Sequence, residues 1–146
     1  METEGRQSTR KEPVEQTGGC ACKAVRFRVK AAPRRVSLCH CMTCRRVHGS
    51  AFGAYAMFSR DAVEFSGPVR AWQSSQGARR YFCPVCGSVA FMEYADSDEL
   101  DIPLGAFDQA DIYEPTDELW CCHKESWLPK GVRAEYERNR PEPSRV

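Results

Sequence analysis

The sequence predicts a small, mainly β fold, chiefly antiparallel, with very short helices and a Cys-x-x-Cys knuckle. Three observations predict it. Apolar and polar side chains alternate in short runs, glycine and proline close those runs, and nine cysteines gather in tight groups.

Taken in order, residues 1–16 carry only Met1 and Val14 as sizeable apolar side chains amid mixed charge, which predicts a disordered N-terminal arm. Val25, Phe27 and Val29 alternate with Arg26, Arg28 and Lys30, the pattern of a half-buried strand. One short helix is expected over 42–47, beginning inside the second cysteine group. The runs 52–58, 81–82, 89–91 and 100–104 read as strands, with Gly67-Pro68, Gly77 and Gly105 as turns between them. Phe52, Tyr55 and Phe58 are expected in the core or on a sheet face. The acids between Asp96 and Asp101 read as a solvated turn without the regular spacing of a calcium loop. Residues 129–146, with Pro141 and Pro143 among many charges, predict a flexible C-terminal tail. The folded unit is therefore expected over 17–128, a single domain in a chain of 146 residues.

Twenty-one basic residues face 20 acidic ones, so the formal net charge of +1 argues against a polyanionic partner such as nucleic acid. The N-terminus has no apolar stretch of a secretory signal, and no run of about 18 apolar residues offers a membrane span. The expectation is a cytoplasmic protein without a membrane partner. In that reducing setting clustered thiols point to metal rather than to disulfides.

The cysteines form Cys20-x-Cys22, Cys39-x-Cys41-x-x-Cys44, Cys83-x-x-Cys86 and the adjacent pair Cys121-Cys122. Structural zinc takes four ligands, whereas a catalytic zinc keeps three and leaves one position open. The seven cysteines before residue 90 divide naturally as four and three. Cys83-Pro84-Val85-Cys86-Gly87 reads as a zinc knuckle, with Gly87 allowing the backbone to fold under the sulfurs. Its second pair is Cys20 and Cys22, which point the same way if the segment is extended. Cys39, Cys41 and Cys44 are then local enough to hold a metal of their own. Pairing Cys41 and Cys44 with the knuckle is the less compact alternative. His48, or the Cys121-Cys122-His123 run, offers a fourth ligand that would close the trio; His40 points away from its neighbours in an extended segment.

An open three-thiolate zinc is a weak Lewis acid toward water, yet it keeps an incoming thiol ionised and nucleophilic. A sulfur-bearing substrate fits it better than hydrolysis.

The residues also resemble a known family. Gly18-Gly19-Cys20-Ala21-Cys22, Cys39-His40-Cys41-Met42-Thr43-Cys44-Arg45-Arg46, the stretch from Ser74 to Ser88 with its knuckle, and Asp98 to Gly105 are similar in order to the motifs of the glutathione-dependent formaldehyde-activating enzyme and centromere protein V family. Trp120, Lys124 and Trp127 fit that family's closing pattern. The resemblance implies twisted, zinc-stabilised sheets and two zinc ions per chain. It places Cys20, Cys22, Cys83 and Cys86 on a structural zinc and Cys39, Cys41 and Cys44 on a catalytic one. It implies a carbon–sulfur lyase acting on S-(hydroxymethyl)glutathione, made from glutathione and formaldehyde. The sequence departs from the family's pattern at Tyr81, at Glu118 (a frequent histidine position) and at Cys121-Cys122-His123. These departures leave the particular thiol and aldehyde open.

Arginine recognises carboxylates in a bidentate fork, so Arg45 and Arg46, just after a candidate ligand, are the expected contacts for glutathione's carboxylates. Gly49 and Phe52 follow directly and are expected to line the pocket. Two functions stand against each other: a zinc-dependent lyase or synthase for thiol adducts of an aldehyde, and a non-catalytic, zinc-stabilised glutathione carrier or interaction module.

Overall fold

A computed structural model describes residues 14–141. Eleven strands and one α-helix follow one another: β1 (Gln16–Gly19), β2 (Arg26–Val29), β3 (Arg35–Cys39), α1 (Met42–His48), β4 (Gly53–Ser59), β5 (Val63–Ser66), β6 (Arg70–Ser75), β7 (Ala78–Phe82), β8 (Val89–Tyr94), β9 (Glu99–Pro103), β10 (Asp117–Leu119) and β11 (Ala134–Glu135). A small sheet has the order β1-β2-β5, and a large one the order β11-β10-β3-β4-β9-β8-β7-β6. The mainly β class read from the sequence is the class found. All pairs are antiparallel except those of β10, which runs parallel to both β3 and β11. No helix among the described residues is long and apolar enough to cross a membrane.

Register decides what each face of the large sheet carries, because side chains alternate sides along a strand. Val36 pairs with Ala56, Ala56 with Ile102, and Phe58 with Leu100. Val36, Ala56, Phe58 and Ile102 meet Phe27 and Val29 of the small sheet and Phe107 in one buried cluster. Phe27 and Phe107 touch edge to face at 5.1 Å between ring centres. Burying each such side chain stabilises the fold by roughly 1.5–3 kcal/mol. The other face carries the intervening residues: Ser37 opposite Tyr55, Met57 opposite Asp101, Asp101 opposite Met92, and Met92 opposite Arg80. That second face builds the functional site.

Three expectations change. Asp101, where the acids read as a solvated turn run into the strand read over 100–104, lies in β9 as the strand reading has it and, unlike a solvated residue, is only 1% exposed. The Cys20–Cys22 pair sits in the tight turn between β1 and β2 rather than in extended chain: the Cys20 and Lys23 amides donate to the Val25 and Cys20 carbonyls. Finally, the domain does not stop at 128. The described part of the segment read as a tail lies along β10, with the Tyr136 amide on the Glu118 carbonyl at 2.9 Å and the Trp120 amide on the Arg138 carbonyl at 3.0 Å. Arg138 stacks over Trp120, and Arg140 pairs with Asp117. Backbone hydrogen bonds and these cations hold the segment although it has almost no apolar residues. Of the arm expected over 1–16, residues 1–13 lie outside the described chain, and Gln16 already belongs to β1.

Candidate functional site

Two turns bring the first four thiols together. In the knuckle, the Gly87 amide donates to the Cys83 carbonyl and the Cys83 amide to the Ser88 carbonyl, both at 2.9 Å. Gly87 has φ +77°, which a side chain would strain. The ligand atoms of Cys20, Cys22, Cys83 and Cys86 all lie within 4.8 Å of one another. Four sulfurs at about 2.3 Å from a tetrahedral zinc would sit roughly 3.8 Å apart. The Cys20–Cys22 and Cys22–Cys83 sulfurs are 3.5 and 3.7 Å apart, far from a disulfide and close to that spacing. The Val25 amide donates to Cys20 Sγ at 3.2 Å, and Ser88 Oγ lies 3.2 Å from Cys86 Sγ. Contact with that hydroxyl and the Ser88 amide holds the Cys86 thiol down at about 5. Donors aimed at sulfur suit thiolates, so the residues fit a closed zinc site.

The second set is built at the junction of β3 and α1. Cys39 ends the strand, Cys41 caps the helix by accepting the Cys44 amide at 3.3 Å, and Cys44 turns inward, 3% exposed. Their sulfurs also lie within 4.8 Å of one another, with no fourth histidine, cysteine or carboxylate completing the group among the described residues. Hydrogen bonds from Cys39 and Cys41 push Cys44 down to about 2, helped by Tyr55 and the Arg80 charge and opposed by burial. The same contacts push Cys39 up. Three thiols sharing one proton network this way need a cation before all can ionise, which is the behaviour expected of a metal site.

Of the candidate fourth ligands, His48 Nε2 is 2.6 Å from the Tyr55 hydroxyl. His40 is fully buried behind the trio with Glu118 and Cys121, its ring edge-on to Phe52. Those three form a third cluster of possible ligand atoms. Lys124 Nζ already holds Glu118 Oε2 at 2.5 Å and Arg133 approaches the other oxygen, so a metal there would have to displace an ammonium.

The trio opens on a cavity of about 500 Å³ on the second face of the large sheet. Its wall includes Tyr55, Met57, Arg80, Met92, Tyr94 and Asp101 from the strands, with Trp120, His123 and Asn139 at the side. Arg80, 6% exposed, donates to Cys44 Sγ at 3.5 Å, Tyr55 Oη at 3.3 Å and Ser74 Oγ at 3.1 Å. Asn139 accepts from the Trp120 indole, so the segment beyond 128 supplies part of the wall.

None of Arg45, Arg46, Gly49 and Phe52 lines this cavity. Arg45 instead ties α1 to the closing segment through Glu125 at 2.5 Å and the His123 carbonyl. Arg46 and Gly49 are exposed at the far side of the helix, since Cys44 takes its inward face. The sequence reading missed Arg80 and Asp101. Their signals were the alternation of Arg80 with Ala78 and the place of Asp101 in the run 100–104, which are meaningful only once the register is known.

Fold and site together define a small, mainly β domain organised around two clusters of cysteine sulfurs. Residues 15–123 match the family described as glutathione-dependent formaldehyde-activating enzyme, and the chain belongs to that family. An uncharacterized lyase of Schizosaccharomyces pombe is 33% identical over 82 residues, which cover 56% of this chain and 60% of that protein. A Rhodobacter sphaeroides protein of known crystal structure shares the fold, with a TM-score of 0.56 at 18% identity, over 66% of this chain and 91% of its own.

Proposed function

We propose that the protein is a zinc-dependent carbon–sulfur lyase or synthase that handles adducts of a thiol, glutathione in the first instance, with formaldehyde or a related aldehyde. Cys20, Cys22, Cys83 and Cys86 hold a structural zinc; Cys39, Cys41 and Cys44 hold a second, catalytic one. The observation that carries this reading is a group of three sulfurs, not four, placed on the wall of a cavity. Zinc bound there keeps an added thiol ionised near neutral pH. The chain's own residues do the rest: Arg80 sets its positive charge against Cys44 and holds the Tyr55 hydroxyl, while Trp120 and Asn139 form part of the cavity wall. Nine free thiols suit a cytoplasmic setting.

Purified protein is expected to contain about two zinc ions per chain. It should also speed exchange between formaldehyde and S-(hydroxymethyl)glutathione above the spontaneous rate, measured by exchange NMR. Cys41→Ser should abolish that acceleration. A variant exchanging as fast as the wild type would refute the catalytic assignment. Tight binding of glutathione without acceleration would replace the enzyme by a carrier.

A further inference from the structure

The cavity contains one buried polar atom that the thiol chemistry leaves unused. Asp101 is carried by β9 on the same face as Tyr55 and Arg80, in register between Met57 of β4 and Met92 of β8. Its Oδ2 accepts the Tyr94 hydroxyl at 2.8 Å, while its Oδ1 is buried without a hydrogen-bond partner. Buried acceptors are rarely left unpaired without a functional reason. The other polar groups deep in the cavity are committed: Arg80 to Ser74, Tyr55 and Cys44, Tyr55 to His48, and Tyr94 to Asp101. The charges acting on Asp101 are Arg35 and Glu99, which are paired with each other at 2.8 Å, and the Cys44 thiolate.

We propose that Asp101, held by Tyr94, is the subsite for the oxygen of the aldehyde or its thiol adduct, and that it moves the proton at that oxygen. The inference rests on the lyase reading for its substrate and on the cavity for its geometry. Because Tyr94 donates to Oδ2, the neutral acid carries its proton on Oδ1. Burial pushes this carboxyl up to about 7, so both protonation states are accessible near neutrality. In the forward direction the thiolate sulfur forms a bond to the carbonyl carbon and the C=O π pair moves to oxygen. Asp101 gives that oxygen its proton and becomes a carboxylate. The proton released when the thiol ionises restores the acid, so thiol plus aldehyde balances the hydroxymethyl thioether. The reverse reaction begins with the carboxylate accepting the hydroxyl proton.

Two readouts separate this subsite from the lyase reading. The first is calorimetric binding of S-(2-hydroxyethyl)glutathione and S-ethylglutathione, stable probes that differ by one hydroxyl. Wild type should prefer the hydroxyl probe by about tenfold, and Asp101→Leu should lose the preference while keeping its zinc and a cooperative melt. The second is formaldehyde exchange. Asp101→Asn should slow it about 100-fold at unchanged KM for glutathione, the scale of general acid catalysis. Tyr94→Phe, which leaves the carboxyl in place, should slow exchange less than Asp101→Asn does. A hydroxyl preference that survives in Asp101→Leu, or wild-type exchange in Asp101→Asn, overturns the proposal. A wild type that shows the hydroxyl preference but no acceleration keeps the oxygen subsite and removes the lyase reading.

Discussion

The two thiol clusters set the same kind of atom in different surroundings. The four-sulfur cluster sits where two turns meet, one between β1 and β2 of the small sheet and one between β7 and β8 of the large sheet. Cys22 and Cys86 are exposed, and the donors around the cluster are backbone amides and the Ser88 hydroxyl. The trio has only one buried sulfur of three, yet that sulfur faces a guanidinium and a cavity. Neutral donors and four sulfurs suit the structural role proposed for one cluster; a charge, three sulfurs and a shaped cavity suit the reactive role proposed for the other. The difference lies in surroundings rather than in cysteine count.

The largest expected effect tests the staple. Metal binding contributes about 10–16 kcal/mol in small zinc domains, as much as or more than the 5–15 kcal/mol by which a typical domain is stable. Cys83→Ser should therefore abolish the cooperative thermal transition followed by near-ultraviolet circular dichroism, whereas the trio variant Cys41→Ser should keep one. A soluble, cooperatively melting, zinc-free Cys83→Ser protein would erase the contrast between the clusters.

A smaller effect sharpens the contrast at the other cluster. Removing the charge beside Cys44 leaves the trio's negative charge less compensated, and groups of this kind tune metal affinity by about 10–100-fold. Arg80→Met should release one zinc per chain to a chromogenic chelator faster than wild type and leave release of the other unchanged. Equal acceleration at both sites would show that Arg80 supports the fold rather than the trio.

A third effect concerns pH. Asp101 is held near 7 in the folded state by burial, above the ordinary carboxyl value of about 3.9 in the unfolded chain. Between those two values the folded state binds more protons, so this group's contribution to stability is greatest below about pH 4. It declines as pH rises and levels off above about 7. Asp101→Asn lacks this dependence. In urea titrations the variant's stability relative to wild type should rise from pH 5 to pH 8, and a constant difference would place the Asp101 carboxyl at its ordinary value. Loss of zinc at low pH affects both proteins and cancels from the comparison.

Each short run of thiols was legible because its members lie a few residues apart, whereas the meeting of Cys20 and Cys22 with Cys83 and Cys86, 61 positions on, followed from dividing seven thiols as four and three. The helix, the strand at Val25–Val29 and the β-rich class were legible for the same local reason. Arg80 was not, because Arg79-Arg80 looks like any solvated pair until β8 fixes which of the two points inward. Asp101 was hidden among neighbouring acids that do face water. Least visible was β10: Asp117, Glu118 and Leu119 show no apolar alternation, and the strand exists through pairing with β3 and β11 and through Lys124, Arg133 and Arg140, which hold its carboxylates. A charged segment can be a strand when its counter-charges come from elsewhere in the chain.

The parallel placement of β10 also sets an order of assembly. Ser37 and Asp117, bonded side chain to side chain, are 80 positions apart. The hairpins of β6 to β9, the helix and the Cys39–Cys44 loop all close over much shorter separations, and short closures form first. The trio, which closes locally, is therefore expected to form before the wall made by Trp120 and Asn139. On that ordering a metal would meet the trio's thiols from open solvent, before β10 and β11 bring Trp120 and Asn139 to the cavity wall.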